Sequence, residues 1–504
     1  MEIPLPDMPG GVVRVYPASA AVAMLPLTPA NDYTPSIIFC GGSDMPDEDW
    51  GNYSYPWIDT WDYPASKDCQ RITPEPKDGS TPVYEQDDDM LEGRTMGQFI
   101  ILPTGQLFVV NGALNGTAGY AQKTLLVPSL DLMPYGESLA SGPVFTPAIY
   151  NPNAPPGKRW SRTGFKKSKI PRLYHSSAIL LPNAAILIGG SNPNVDVNVT
   201  TIFPTTYQAE IFYPSYFSAS TRPAPTGMPT TLTYGGSFFN ITIPASSYSG
   251  PANTAAASAT CVIHRGGFTT HAMNMGQRLL QLNNTFTVNS DGSIILHVAP
   301  VPPNPNLFQP GPAFMFVNVR GIPSNGSYLI VGNGQIGTQS TSPNPILPPN
   351  VLASASGTAS GSGVPSSNDT NGSQNSKSNL GVIIGSVAGS LAILAALGVF
   401  IGIYLARRKR ATSPIAPTTA SRAVAGSMGL RGMRSSGSDS SAFIPLHQDN
   451  ASAIWNASTT NMSYMDDARG SRGSMGLSMM DKDPMASTPM QHQDYVTGSR
   501  PYRY

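Results

Sequence analysis

Two stretches of this sequence decide its fold, RTMGQFIILPTGQLFVVNGA at residues 94–113 and RLYHSSAILLPNAAILIGGSN at residues 172–192. Each begins with an arginine, passes through an apolar run to a Leu-Pro turn, and ends a second apolar run at glycine. A looser copy opens with RVYPASAAVAMLPL at residue 14 and closes with IIFCGGSD at residue 37. Short apolar runs between turn residues are typical of β-strands. The first 220 residues or so therefore contain a repeated hairpin.

The repeat favours kelch-like blades, in which antiparallel strands bury their faces between neighbouring sheets. The repeat arginines, Arg14, Arg94 and Arg172, lie 80 and 78 residues apart, which requires insertions or a degenerate blade between copies. At about 50 residues per kelch blade, residues 1–222 hold about four. A β-sandwich with similar hairpins is the alternative on pattern alone.

Composition agrees with a mostly β protein. The 504 residues include 49 glycines and 49 prolines, and charged residues make up 12%, which favours turns and short strands over long charged helices. A hydrophobic fraction of 40% suffices for real cores and excludes a wholly disordered chain. Residues 1–379 hold 18 basic and 23 acidic side chains, and residues 380–504 hold 12 and 7. A nucleic-acid binder is set aside, because its folded part would be basic.

From about residue 222 the repeated hairpin pattern ends, and RPAPTGMP is predicted to be a linker. Strand-like runs follow at residues 236–244, 260–264, 293–298 and 314–319. About 115 residues with this rhythm predict an immunoglobulin-like β-sandwich over residues 223–337. Residues 338–379 are rich in Ser, Gly, Thr, Asn and Pro, as expected of a flexible stalk.

Residues 380–406, LGVIIGSVAGSLAILAALGVFIGIYLA, are 27 consecutive uncharged positions. As a helix this length crosses a hydrocarbon core of about 30 Å. The basic cluster Arg407–Arg410 predicts a single pass through the plasma membrane, with residues 1–379 outside and residues 407–504 as a disordered cytoplasmic tail. A buried helix of a soluble protein is the alternative.

Asn-x-Ser/Thr sequons agree with a secreted glycoprotein, although three more in the tail show that composition alone produces them. No signal peptide opens the sequence at Met1, so we expect that an upstream segment is missing. The eight sequons before residue 379 are at Asn52, Asn115, Asn198, Asn240, Asn283, Asn325, Asn368 and Asn371.

Two histidines are candidates for chemistry. His264 and His297 lie in apolar strand runs, which favours core histidines, whereas His175 follows Tyr174 and His271 follows a glycine-rich turn in HRGGFTTHAMNMGQR. Imidazoles with a phenolate suit a redox metal such as copper, which accepts N and O ligands. Because His175 and His271 are 96 residues apart, spacing alone favours ordinary structural histidines.

An acidic run, Asp87–Asp89 with Glu85 and Glu92, precedes the second repeat. It lacks the alternating ligand spacing of a calcium loop. We therefore predict a solvated loop.

Longer stretches make the chain resemble the copper radical oxidases of the glyoxal oxidase and galactose oxidase type, especially the fungal glyoxal oxidase branch. The resemblance implies a seven-bladed kelch propeller, of which this chain holds part, followed by an early-set immunoglobulin-like domain whose histidine loop reaches one copper ion at the propeller axis. The stretches, all between residues 10 and 337, are VYPASAAVAMLPLTPANDYTP, FCGGSDMPDEDWGNYSYP, QDDDMLEGRTMGQFI, RLYHSSAILLPNAAILIGGSNPNVDVN, TTYQAEIFYPSYFS, FTTHAMNMGQR and PPNPNLFQPGPAFMF.

The resemblance also implies residue roles. Tyr174 would be the axial copper phenolate and the base for the substrate's proton, and His175 and His271 the equatorial ligands. Copper(II) takes one electron, and in this family a radical on a tyrosine thioether-linked to a cysteine takes the other. The implied reaction is extracellular oxidation of small aldehydes such as glyoxal or methylglyoxal, or of primary alcohols, with O2 reduced to H2O2.

The cysteine and tyrosine of that radical belong to blades before the matched region, and they are absent from this sequence. A truncated record would explain this absence, the short propeller and the lack of a signal peptide together. Cys40 and Cys69 fit family positions that look structural, so we expect a disulfide between them and a buried, inert thiol at Cys261.

Two functions compete: a membrane-anchored copper radical oxidase, and a non-catalytic, membrane-anchored, wall-associated binding protein with the same fold. A kelch-type interaction scaffold is a third, which the Tyr-His pair and the histidine loop disfavour. For the oxidase we expect an aldehyde or alcohol, O2 and the membrane as partners, with no nucleic acid and no obligate protein partner.

Overall fold

The structure is a computed structural model that describes residues 4–50, 56–354 and 442–446. Nearly all regular structure in these ranges is strand, so the all-β prediction is confirmed. The helices are short: α1 (Asp47–Trp50), α2 (Ala252–Ala257) and 3-10 turns at Pro9–Gly11, Pro29–Asn31, Thr60–Asp62, Leu130–Leu132, Ser215–Ser218 and Ala245–Ser247.

The strands of the first region are β1 (Ala21–Met24), β2 (Ile37–Cys40), β3 (Cys69–Ile72), β4 (Tyr84–Gln86), β5 (Gln98–Ile101), β6 (Leu107–Val110), β7 (Ala113–Tyr120), β8 (Ser138–Pro143), β9 (Ala148–Tyr150), β10 (Trp160–Ser161), β11 (Ser176–Leu180), β12 (Ile186–Gly190) and β13 (Ala209–Tyr213). Those of the second region are β14 (Thr231–Leu232), β15 (Phe239–Ile243), β16 (Thr260–Arg265), β17 (Phe268–Thr270), β18 (Met273–Met275), β19 (Arg278–Leu282), β20 (Asn284–Val288), β21 (Ile294–Val298), β22 (Gly311–Val319), β23 (Ile322–Pro323) and β24 (Ser327–Val331). A separate strand is β25 (Ala442–Leu446).

The repeat of the sequence becomes three antiparallel four-stranded sheets in the described residues, ordered β1-β2-β3-β4, β5-β6-β9-β10 and β11-β12-β13-β25. The insertion required between the second and third copies is a hairpin of β7 and β8. Strands β5 and β6 are buried along their whole length, because their apolar side chains pack on both faces. The arrangement of these sheets as a propeller remains a prediction.

The repeat arginines brace each sheet from one end. They precede the first strand rather than starting it, and each donates to carbonyl groups near the end of the second strand and the start of the third. A buried guanidinium needs such partners. Arg14 donates to the carbonyls of Gly41 and Asp68 and pairs with the Asp68 carboxylate, Arg94 donates to those of Asn111 and Thr146 and pairs with Glu92, and Arg172 donates to those of Gly190 and Gln208 and pairs with Glu210.

Strand β25 comes from the segment that the sequence analysis assigned to a disordered tail. It pairs antiparallel with β13, and the Phe443 ring lies 5.0 Å from the Phe212 ring in an edge-on contact. The outer edge of β13 offers N–H and C=O groups that a short apolar segment can satisfy. Such long-range pairing leaves no local signal in the sequence.

The second region is a β-sandwich, as predicted. One sheet has the order β14-β24-β22-β16-β19 with β23 beside β22, and the other has the order β15-β21-β20. A buried apolar core lies between them, including Ile241, Cys261, Leu296 and Phe308. Val262 on β16 instead belongs to the core of the first region, so the sandwich packs directly on the repeats.

The predicted stalk begins later than residue 338. The backbone of Val351 bonds Phe286 and Val288 at 2.8 and 2.9 Å, and Ser342 N–H donates to the Tyr234 carbonyl at 2.9 Å. These bonds extend the sandwich through backbone pairing that is independent of side-chain type, which is why a polar composition did not reveal it.

Within the ranges that the structure describes, no helix has the length and apolar character needed to cross a bilayer. The predicted membrane segment, residues 380–406, lies outside those ranges, as does most of the predicted tail.

Candidate metal centre

Tyr174 and His175 lie between the repeat arginine Arg172 and strand β11. Two bonds tie them to Asn192, just after β12: the Tyr174 carbonyl accepts from Asn192 N–H at 2.8 Å, and His175 Nδ1 lies 2.8 Å from the Asn192 carbonyl oxygen. His175 has a left-handed backbone with φ 63°, an uncommon conformation for a residue with a Cβ. The exposed imidazole is thus fixed through Nδ1, and within the described residues Nε2 makes no hydrogen bond.

His271 lies at the tip of the hairpin of β17 and β18, which reaches from the sandwich to the repeats. Ser19 Oγ donates to the His271 carbonyl at 2.6 Å, and Ser177 Oγ donates to Thr269 Oγ1 at 2.9 Å. His271 also has a left-handed backbone, with φ 53°. Its Nδ1 lies 2.7 Å from Thr270 Oγ1, which leaves Nε2 without a hydrogen bond in the described part of the chain.

Tyr16 joins the two halves of this site. Its ring centroid lies 5.6 Å from that of His271 and 6.1 Å from that of Tyr174, and Tyr174 stacks on His175 at 3.8 Å. The Tyr16 side chain also interacts electrostatically with the Tyr174 hydroxyl and raises its pKa. Tyr120 flanks the other side, 6.2 Å from the Tyr174 ring and 6.4 Å from the His175 ring. The structure therefore brings the three predicted residues into one aromatic cluster.

Sequence analysis missed Tyr16 and Tyr120. The repeat could have identified Tyr16. Tyr16 stands two residues after Arg14, just as Tyr174 stands two residues after Arg172. Met96 has the same position in the second copy, and all three side chains meet in one small hydrophobic cluster. Tyr120, on the inserted hairpin, has no such signal.

Burial is the main cause that raises the pKa of Tyr174, and the hydrogen bond to Tyr16 and the proximity of Tyr16 and Tyr120 raise it further. The phenol is therefore neutral at pH 7 unless a cation lies beside it.

Two known protein families match the same two regions of the chain. Residues 3–216 match the family described as glyoxal oxidase N-terminus, and residues 222–331 match the galactose oxidase-like early-set domain. The chain is homologous to glyoxal oxidases and galactose oxidase.

Among relatives, an aldehyde oxidase of Arabidopsis thaliana is 32% identical over 64% of this chain and 49% of its own, and one of Vitis pseudoreticulata is 33% identical over 63% and 54%. Galactose oxidase of Gibberella zeae is 29% identical over 47% of this chain and 29% of its own. This chain thus spans about half the length of the plant relatives. A solved fungal alcohol oxidase in complex with copper aligns with a TM-score of 0.44 at 18% identity, over 62% of this chain and 54% of that one.

The donor set fits a copper ion. Two imidazoles each present a free Nε2 while their Nδ1 atoms are held, which is the usual arrangement of metal-binding histidines. Tyr174 belongs to the same aromatic cluster, and N and O donors suit copper(II). Tyr174, His175 and His271 are the residues that would hold it.

The cysteines are placed away from this cluster. Cys40 and Cys69 form a disulfide between facing positions of β2 and β3, which is the expected pair. Cys261 is a buried free thiol in the sandwich core, where burial raises its pKa. The chain's three cysteines are thereby accounted for, and none contacts Tyr174.

The other two histidines before residue 379, His264 and His297, differ from each other. His264 is buried, as predicted for a core residue, but its Nε2 has no partner in the described residues, and burial lowers its pKa to about 4. His297 is half-buried, and its ring nitrogens lie 2.8 Å from Asn240 Oδ1 and 2.9 Å from Thr287 Oγ1. Neither lies in the aromatic cluster.

The acidic run is not the solvated loop that its composition suggested. The Asp87 side chain is fully buried and accepts from Arg159 at 2.6 Å and from Tyr150 at 2.9 Å. Asp88 accepts backbone N–H groups of Gly157 and Arg159. These carboxylates hold the outer strand of the second sheet, so the run is structural.

Proposed function

We propose that the protein is an extracellular copper-dependent oxidase of small aldehydes, such as glyoxal or methylglyoxal, or of primary alcohols. The observation that supports this most is the aromatic cluster that brings Tyr174 together with two imidazoles whose Nδ1 atoms are held, contributed by two regions that are both homologous to such oxidases. The reaction removes two electrons and two protons from the aldehyde hydrate or alcohol and passes them to O2, giving H2O2.

Bound copper would accept one electron and, by its charge, lower the pKa of an adjacent phenol. Tyr174 would then accept the substrate's proton at its hydroxyl oxygen. Its position is favourable for this role, because the ring is half-buried and its hydroxyl is held by Tyr16. His175 and His271, both exposed, form the side of the cluster that solvent and substrate can reach.

The second electron requires another redox group. In the proposal it is a thioether-linked tyrosine of the kind found in the copper radical oxidases that the chain resembles. The three cysteines present are engaged or buried, so they do not supply it.

The test is peroxide production by the full chain loaded with copper(II), with methylglyoxal, glyoxal or a primary alcohol as substrate. With a redox-active tyrosine present, peroxide production should require copper and should be lost in Tyr174→Phe. Tyr120→Phe is the matched control, since it removes a neighbouring hydroxyl outside the donor set. Peroxide production that survives in Tyr174→Phe would overturn the assignment.

A non-catalytic binding protein is the second candidate, and the engaged cysteines favour it. It predicts that this chain folds equally well with and without copper and that the native transcript encodes no upstream cysteine and tyrosine. Sequencing the 5′ end of that transcript separates the two functions.

We further propose that residues 380–406 attach the protein to the plasma membrane with the two N-terminal domains outside. Support comes from the uncharged run and the basic cluster after it. The pairing of β13 with β25 argues against a wholly cytoplasmic tail. Residues 442–446 can pair with β13 of the same chain only if both lie on the same side of the bilayer.

Ser438→Cys decides the position of the tail. An impermeant maleimide added to intact cells should leave this cysteine unlabelled until the membrane is permeabilised if the tail is cytoplasmic. Labelling of intact cells would reject a cytoplasmic tail and support the pairing of β25 with β13. The parent protein is the control, because its free thiol, Cys261, is buried.

An extracellular domain would also carry N-glycans. Asn240, Asn283 and Asn325 are exposed sequon positions, whereas Asn115 donates to Ser141 Oγ at 3.1 Å beside buried Thr117. Glycopeptide mapping of the native protein should find glycans at exposed positions and none at Asn115.

A further inference from the structure

The repeat places one residue of each copy in the same hydrophobic cluster. The residues two positions after the repeat arginines are Tyr16, Met96 and Tyr174, and they share one hydrophobic cluster with Ala272 of the histidine hairpin. Of Tyr16 and Met96, Tyr16 has a polar group, and its hydroxyl can interact with neighbouring side chains. Its location follows from the repeat and is independent of any metal.

Tyr16 is held firmly by its own chain neighbours. Arg14, which is buried, is fixed by bonds to the carbonyls of Gly41 and Asp68, and the Pro17 carbonyl accepts from Ala118 N–H at 2.8 Å. The Ser19 side chain also bonds the His271 backbone at 2.6 Å. The segment that carries Tyr16 is thus braced on both sides, and it touches the hairpin of β17 and β18 directly.

The two contacts of Tyr16 act on different proposed ligands. Its ring meets His271 edge-on, at an interplanar angle of 78°, and so limits rotation of that imidazole. Its ring centroid lies 6.1 Å from that of Tyr174, and its side chain interacts electrostatically with the Tyr174 hydroxyl, which limits where that oxygen lies. His271 comes from the sandwich and Tyr174 from the third sheet, and Tyr16, from a third segment, contacts both.

We infer that Tyr16 is a positioning residue of the candidate metal centre, whose ring orients His271 and whose hydroxyl holds the Tyr174 oxygen so that both face one ion. The inference rests on the proposed function for its metal, but its geometry stands without one. A phenylalanine at position 16 would keep the first contact and lose the second, and a leucine would lose both.

Copper(II) alone is the probe, added to the full chain, with binding followed by titration and by the absorption band of the copper–phenolate pair. Tyr16→Phe should weaken binding about tenfold and shift the band, because the polar interaction with a ligand oxygen is lost. Tyr16→Leu should weaken binding further. Tyr120→Phe, the matched control, should stay within about twofold, since its ring is equally near Tyr174 but makes no hydrogen bond to it in the described residues.

A second measurement needs no copper. Deuterium uptake by residues 268–275 of the metal-free chain should rise in Tyr16→Leu, stay near the parent value in Tyr16→Phe, and remain unchanged in Tyr120→Phe. A parent chain that binds no copper would overturn the proposed function, and the exchange data would still test the inference. Copper binding, band and exchange in both Tyr16 variants equal to the parent would overturn the inference alone.

Discussion

At the scale of single residues, the site is built on unfavourable backbone. His175 and His271 both have left-handed conformations, at φ 63° and 53°. Such a conformation costs a residue with a Cβ about 1–2 kcal/mol. Strain of this kind collects where the surrounding structure needs a side chain in one place. Here it places the His175 imidazole against Tyr174 and the His271 imidazole against Tyr16.

This strain can be measured at His175. His175→Gly should be more stable than His175→Ala by about 1 kcal/mol, because glycine adopts positive φ freely and this outweighs its larger entropy loss on folding. Urea denaturation of both variants gives the difference. At His297, in the ordinary strand β21, the order should reverse. A glycine variant at position 175 that is less stable than the alanine variant would contradict the strain.

At the scale of elements, the third sheet depends on a buried ion pair. Arg172 and Glu210 approach to 3.0 Å with side chains that are each 4% exposed, and Ser168 Oγ bonds both carboxylate oxygens. The pair lies directly before Tyr174, so it also fixes the start of the segment that presents the site. Removing one member would leave the other charge buried without its partner.

Glu210→Leu should therefore lower the free energy of unfolding by about 3–5 kcal/mol, and the double variant Arg172→Met/Glu210→Leu should recover part of that loss. Chemical denaturation measures both. The exposed pair Lys67–Asp89, at 3.2 Å, is the control, and Lys67→Ala should cost less than about 1 kcal/mol. Equal effects of Glu210→Leu and Lys67→Ala would show that the sheet does not depend on the buried pair.

At the scale of the whole molecule, His264 is buried on β16, the strand through which the sandwich packs on the core of the repeats. Burial lowers its pKa to about 4, below the ordinary 6.5. The unfolded chain therefore binds a proton between these values and the folded chain does not. This contribution to stability is complete above pH 6.5 and is lost progressively as the pH falls toward 4.

His264→Leu should abolish this loss. Between pH 7 and pH 4 the parent should lose about 3 kcal/mol more than the variant, which is the free-energy equivalent of its pKa shift. Carboxylates titrate in both proteins and cancel in the difference. Urea unfolding at several pH values measures it, and parallel curves would show that His264 is not the group responsible.

The sequence allowed prediction where the signal was local or repeated. Hairpins bounded by Leu-Pro and glycine predicted the sheets, and strand rhythm predicted the sandwich. Prediction from the sequence failed where backbone pairing joins distant segments, as with β25 on β13 and Val351 on β20. Within the site, the family resemblance located Tyr174, His175 and His271. The place of Tyr16 in the site follows from the contacts between the copies in the folded structure.

The most direct test of the central claim is the electron paramagnetic resonance spectrum of the full chain with one equivalent of copper(II), with and without 15N-labelled histidine. A copper centre formed by Tyr174, His175 and His271 should show coupling to two imidazole nitrogens, reduced to one in His175→Ala and in His271→Ala, whereas His297→Ala should leave the spectrum unchanged. A spectrum without imidazole coupling, or one that neither His175→Ala nor His271→Ala alters, would contradict a copper centre built from these residues.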